Sequence, residues 1–327
     1  MTAHLTLRAC QTIRLRPTAP FNFDATLHKP DHFPSADTAW EPGIRWQTMR
    51  WRGLPLGLKL EGRGTCDRPS IRLSVWSQRR LAPAFLRDLR KEITYRYGLR
   101  LDLAGFYDAC SGDPQLGPII RRWRGMRPAC YSSLYEYLII AIVLQNATVR
   151  RSVNMLQALL ERCGTRLAYD GRQLYCMWEP AALAAATEGE LRALKVGYRA
   201  KSFLRVTAAF AEGGMDEFAL RRRARAEQRA ALLGLYGIGP ASVGYVLSDV
   251  FHHLDEFEHI SPWEQKIYSV LFCGRDPDDP APAGELLQLF EQRFGRYKML
   301  AVHYVWEDLF WRRRHEPVEW LEKLIRL

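Results

Sequence analysis

A chain of 327 residues is about two domains of ordinary length, and 47% hydrophobic residues against 25% charged ones exclude wholesale disorder. Its 47 Lys and Arg against 36 Asp and Glu leave a net charge of +11, which suits a polyanionic partner. The longest apolar run, Tyr137 to Leu144, is far short of the roughly 20 residues of a membrane span, and the first residues lack a basic-then-apolar leader, so a cytoplasmic protein without a membrane partner is expected.

From Leu5 to about Gln78, short alternating stretches cut by Pro and Gly predict an antiparallel sheet with one wet face. After Leu81 the period becomes helical, and Ser111 to Pro114 reads as a break. The predicted fold class is therefore α+β, with a β-rich N-terminal domain over 1–111 and an all-α domain over 112–327. In the second domain, helices are predicted at about 132–146, 150–163, 180–187, 189–195, 199–212, 226–233, 240–251, 263–272, 285–294 and 296–314. The connection from Gly274 to Gly284 is longer and rich in proline.

Twelve of the basic residues fall in clusters: Arg121, Arg122, Arg124, Arg127, Arg221, Arg222, Arg223, Arg225, Arg229 and Arg312 to Arg314. Each reads either as part of a polyanion-binding surface or as a solvated charged face. The seven cysteines are dispersed without a C-x-x-C pair, which argues against a zinc ribbon, an iron–sulfur loop or a disulfide framework. No His, Asp or Glu cluster has ligand spacing, so no metal enzyme is expected, and His252-His253 reads as an exposed loop pair.

The most informative stretch runs from Leu235 through Gly237, Ile238, Gly239, Pro240 and Ala241 to Gly244. The two glycines permit positive φ in a tight turn between helices, Ile238 can plug the gap, and Pro240 suits the first position of the next helix. The result is a helix–hairpin–helix over about 235–244, whose outward N–H groups can dock a DNA phosphate without a charged side chain.

This hairpin resembles that of the helix–hairpin–helix-GPD superfamily of base-excision DNA glycosylases, nearest in layout to its 8-oxoguanine and 3-methyladenine branches. Phe21 to Leu27 resembles the opening of their sheet domain, and Tyr135 to Thr148 the helix and turn that fill the space left by a flipped base. Leu194 to Lys201 resembles a second turn, Ile260 to Leu271 the catalytic loop and helix, and Phe294 to Tyr297 the start of the closing helix. The resemblance implies a monomer acting on double-stranded DNA with damaged bases, with no cofactor beyond a structural Na⁺ or K⁺ at the hairpin. Such an enzyme must extrude its target nucleotide. Asn146, with Gln145 second, is the candidate to fill the gap. Gly237, Ile238, Gly239, Ala241, Arg199 and Lys266 are the other implied DNA contacts, and Tyr198 and Trp263, with Trp123 and Trp306, are candidates for the base pocket.

Two departures shape the chemistry. Members that also cut the strand carry a lysine after the hairpin, where this chain has Ala241, so the implied enzyme is monofunctional. The usual catalytic aspartate position holds Pro262. Glu264 is the first candidate to replace that carboxylate, Asp255 a lesser one with Glu256 and Glu258. A weakened site favours cationic alkylpurines, which are good leaving groups. An 8-oxoguanine enzyme and a catalytically silent lesion sensor are the alternatives.

Overall fold

The computed structural model describes residues 3–28, 33–316 and 318–324. Strands β1 (Ala3–Thr6) and β2 (Ala9–Leu15) precede a short helix α1 (Phe23–Leu27), capped by Asn22, whose side chain accepts from the Ala25 amide. Strands β3 (Thr38–Glu41), β4 (Ile44–Trp51), β5 (Leu54–Gly62) and β6 (Ile71–Ser77) join β2 in an antiparallel sheet of order β2-β6-β5-β4-β3. Alternate residues Leu56, Leu58 and Leu60 of β5 and Ile71, Leu73 and Val75 of β6 are buried, as a half-wet sheet requires. They share a core with Leu89 and Ile93 of helix α2 (Pro83–Arg96).

The boundary expected near residue 112 falls inside one core. Helices α3 (Ala104–Cys110) and α4 (Leu116–Arg122) flank the break at Ser111 to Pro114, which is a turn rather than a linker. Phe106, Cys110, Leu116 and Ile120 pack with residues near the far end of the chain. The arginine of that far segment, Arg293, donates to Asp113 at 2.8 Å and holds the turn in place. The fully buried residues of the large sheet's core end earlier, at Leu99, with Ala129 and Tyr131 packed against them.

Helices α5 (Leu134–Leu144) and α6 (Val149–Cys163) follow, close to prediction. A β-hairpin that the helical reading missed comes next: β7 (Thr165–Tyr169) and β8 (Arg172–Cys176), with β1 parallel to β7. Asp170 and Gly171 at its tip both take positive φ, 48° and 73°, which matches the strand twist. The Asp170 carboxylate accepts from Trp46 Nε1 at 2.6 Å and pairs with Lys59 at 2.9 Å, tying the hairpin to the large sheet.

Helices α7 (Pro180–Ala184), α8 (Glu188–Ala193), α9 (Arg199–Ala211), α10 (Glu217–Leu220), α11 (Arg225–Leu233) and α12 (Pro240–Asp249) close over α5 and α6 around Leu138, Ile142, Leu159, Phe203, Val206, Val243 and Leu247. Helices α13 (Pro262–Cys273), α14 (Ala283–Phe294), α15 (Lys298–His315) and α16 (Glu319–Leu324) form the second helical core with α3 and α4. Val243 and Val246 of α12 lie in the first helical core while Tyr245 packs on the second, so the turn before α12 sits at their seam. Among the described residues no helix is long and apolar enough to cross a membrane.

Candidate nucleic-acid interface

The two hairpin glycines do different jobs. Gly237 has φ 80°, and a Cβ there would lie 2.5 Å from Ser202 Oγ of α9, so both backbone and space exclude a side chain. Gly239 is extended, φ −101° and ψ 174°, and a Cβ there would meet nothing within 4 Å. The positive φ expected of it is therefore absent, because Pro240 already starts α12 from an extended N-cap. Ile238 is buried in the first helical core, as expected of a plug. Gly239 has no side chain to cap the first turn of α12, which leaves early N–H groups for a ligand.

Residues Gly237 to Ser242, Gln145 and His259 line an open cleft of about 460 Å³. None of these lining residues is Lys, Asp or Glu, and His259 is the titratable side chain among them. The carbonyls of Gly237 and Gly239 each already accept a hydrogen bond, from Gln145 Nε2 at 2.7 Å and from the Val243 amide at 3.0 Å. A hairpin cation would find only their remaining lone pairs.

The end of α5 is fastened to this cleft. Gln145 bridges to the hairpin through Gly237, so it positions the turn instead of projecting into solvent. Asn146 takes a left-handed backbone, φ 46°, which asparagine tolerates, and is exposed. Its Nδ2 lies 3.3 Å from the Tyr198 hydroxyl. Tyr198 is 55% exposed and sits beside the expected gap-filling residue, not in an enclosed base pocket. Arg199 is buried and donates to the carbonyl oxygens of Ile142, at 3.1 Å, and Gln145. It is thus no DNA contact; its guanidinium satisfies the last carbonyls of α5 and fixes the Gln145–Asn146 turn. Lys266 pairs with Asp278 of the proline-rich loop at 3.4 Å and does not line the cleft.

The carboxylates expected near the chemistry are engaged elsewhere. Ser261 N-caps α13 and Pro262 takes its first turn; Glu264 completes the capping box by accepting from the Ser261 amide at 2.9 Å. The other Glu264 oxygen accepts from the Tyr245 hydroxyl, and the residue is buried. Burial, then the adjacent Glu264 charge, pushes the Tyr245 hydroxyl well above its usual range, so it stays a donor. The water-orienting role expected of Glu264 is not what this geometry provides. Asp255 pairs with Arg225 at 2.7 Å, and Arg229 takes both Glu256 and Glu258. Trp263 stacks on Trp306, ring centroids 4.9 Å apart, with its Nε1 on the Leu324 carbonyl; Trp123 donates to Asp308 at 2.9 Å.

No protein-family model matches the sequence, and neither does any curated protein. Solved structures do match. A 3-methyladenine DNA glycosylase from Archaeoglobus fulgidus superposes with a TM-score of 0.75 at 18% identity, covering 94% of this chain and 99% of its own. MBOgg1 in complex with a low-affinity DNA ligand gives 0.71 at 20% identity, covering 93% and 96%. The 8-oxoguanine glycosylase/lyase from Clostridium acetobutylicum gives 0.68 at 15% identity, covering 92% and 99%. The fold is that of the DNA glycosylases.

Within this glycosylase fold the arginine clusters are largely spent on the protein itself. Arg127 is buried and donates to the carbonyls of Thr18, Pro20, Gly98 and Leu101. Arg221 is paired with Glu92 and Glu217, and Arg122, Arg124 and Arg313 with Asp308, Asp67 and Glu322. The exposed cations nearest in sequence to the Asn146 and Tyr198 turns are instead Arg150, Arg151, Lys195 and Lys201, which lie outside those clusters. Lys201 Nζ lies 5.1 Å from the ring centroid of Tyr236, itself exposed at the hairpin. His252-His253 is not an exposed loop pair: His252 stacks on Tyr95 at 4.4 Å, and His253 Nε2 lies 2.6 Å from Gln228 Oε1.

Proposed function

We propose that the protein is a monomeric, monofunctional DNA glycosylase that binds duplex DNA at the hairpin, extrudes a damaged nucleotide and hydrolyses its N-glycosidic bond. The observation that carries this reading is the fastening of the exposed Asn146 turn, to the hairpin through Gln145 and to α9 through Arg199. A phosphate on the hairpin amides and a side chain in the vacated space are thereby held at a fixed spacing, as base extrusion requires. Ala241 supports strand-sparing chemistry, because among the described residues no lysine lines the cleft to form an imine.

The cleft also favours a substrate that needs little help. With no carboxylate on its lining, a cationic N3- or N7-alkylated purine is the class it suits, in preference to neutral 8-oxoguanine. The same observation favours a second reading, a lesion-sensing DNA-binding protein without chemistry. Base release from duplexes carrying 7-methylguanine or 8-oxoguanine, with strand cleavage followed in parallel, separates them. Release of the alkylpurine with an intact strand is expected. Direct strand scission would refute the monofunctional reading, and lesion-selective binding with no release of any base would establish the sensor.

A further inference from the structure

We infer that His259 is the catalytic base of this site, taking the proton of the water that displaces the damaged purine; the inference rests on the hydrolytic reading above. His259 is exposed and lines the same cleft as Ala241. The short Ala241 side chain leaves that space open to the imidazole.

The backbone carrying His259 is anchored on both sides. Phe257 and Ile260 are buried in the second helical core, the Met299 amide holds the Leu254 carbonyl at 2.9 Å, and Ser261 caps α13. Such anchoring preorganises a side chain that would wander on a free loop. The charged neighbours on this segment are committed elsewhere: Glu258 to Arg229 at 2.8 Å, and Glu264 to Ser261 and Tyr245. From the elements across the cleft come only Gln145 of the α5 end, the hairpin backbone, and Ala241 and Ser242 of α12.

In the step itself, the water oxygen bonds to C1′ as the C1′–N bond breaks. The bonding pair leaves with the purine, which was cationic and departs neutral, and the water proton passes to neutral imidazole and then to solvent. Neutral imidazole puts no negative charge beside the oxocarbenium-like sugar, unlike a carboxylate. A site built on it therefore serves pre-activated leaving groups.

The test is single-turnover release of 7-methylguanine from duplex DNA at saturating protein, with Kd measured separately. His259→Ala is expected to lower the saturating rate about 100-fold while Kd changes less than about threefold. Added imidazole should restore part of the variant's rate. An unchanged saturating rate would overturn the inference, and a weakened Kd with unchanged rate would make His259 a phosphate contact instead. No release above the spontaneous rate by wild type would bring down the hydrolytic reading itself, and this inference with it. Thermal melts of the variant, altered at an exposed position, check that it folds.

Discussion

At the scale of single residues, Gly237 and Gly239 separate fold from binding. Gly237→Ala meets both a positive φ and the Ser202 hydroxyl, so it should destabilise the protein by about 1–3 kcal/mol in urea unfolding. Gly239→Val should leave stability nearly unchanged and weaken duplex affinity in a titration, since its side chain would stand where a phosphate approaches. Unaltered affinity in the folded Gly239→Val protein would take the hairpin out of the interface. Both glycines were visible in the sequence, but their difference was not, because φ at Gly239 depends on how Pro240 enters α12 and the clash at Gly237 comes from Ser202 of α9, distant in sequence. Glu264 carries a similar lesson. Its three-residue spacing from Ser261 is a capping-box signal readable in the sequence, and the burial that turns it inward comes from Tyr245. Glu264→Gln should cost about 1–2 kcal/mol of stability, as an amide cannot accept from both donors, and leave base release within a few-fold. A loss of release with unchanged stability would return the catalytic role to this carboxylate.

At the scale of elements, the site depends on one turn being held against another. Helix positions were legible because apolar residues recur at helical spacing, and the α5–α6 and α11–α12 units fall close to their predicted spans. The β7–β8 hairpin was masked by the helical segments around it, although Asp170-Gly171 between Leu167-Ala168-Tyr169 and Leu174-Tyr175 is a recognisable turn signal. The role of Arg199 was not legible at all. Arginine in a DNA-binding protein reads as a phosphate contact, and only the fold shows its two donors filling the open carbonyls of α5. Arg199→Met should therefore lower stability by about 1–3 kcal/mol, since the Gln145 carbonyl loses its donor and that of Ile142 keeps only the Gln145 amide. It should also reduce discrimination between damaged and undamaged duplex, measured as a ratio of affinities, by releasing Asn146. Arg199→Lys should rescue only in part, because a single ammonium lacks the planar fork that spans both oxygens. A variant that loses affinity equally for both duplexes, without loss of stability, would show Arg199 acting on phosphate after all.

At the scale of the whole molecule, charge is used first to join the parts. Arg221, just past the end of α10, grips Glu92 of α2 at 2.9 and 2.8 Å and stacks over Tyr95, whose hydroxyl donates to the Val250 carbonyl beyond α12. His252 lies in this joint, and burial, followed by the Arg221 charge and that of His253, pushes its pKa down to about 4. An unfolded histidine titrates near 6.5, so between about pH 6.5 and 4 the unfolded chain gains a proton that the native joint refuses. Stability from this group is full above about pH 6.5 and falls as pH drops through that window, by up to about 3 kcal/mol. His252→Asn, which suits the left-handed backbone at φ 62°, should flatten this part of the pH–stability curve. Charge spent on such joints is not available to DNA, and this sets the last expectation. With most of the clustered arginines paired within the protein, the exposed cations nearest in sequence to the Asn146 and Tyr198 turns are Arg150, Arg151, Lys195 and Lys201, alongside the uncharged hairpin amides. Four phosphate contacts give a plot of log K against log salt concentration a slope of about −4, not the roughly −10 that many contacts would give. Lys201→Ala should bring that slope toward zero by about one, and Arg225→Ala, whose partner is Asp255, should leave it unchanged. A slope near about −10, or one that responds to Arg225 and not to Lys201, would show that the paired arginines open to DNA and that the joints of the free protein are remade on binding.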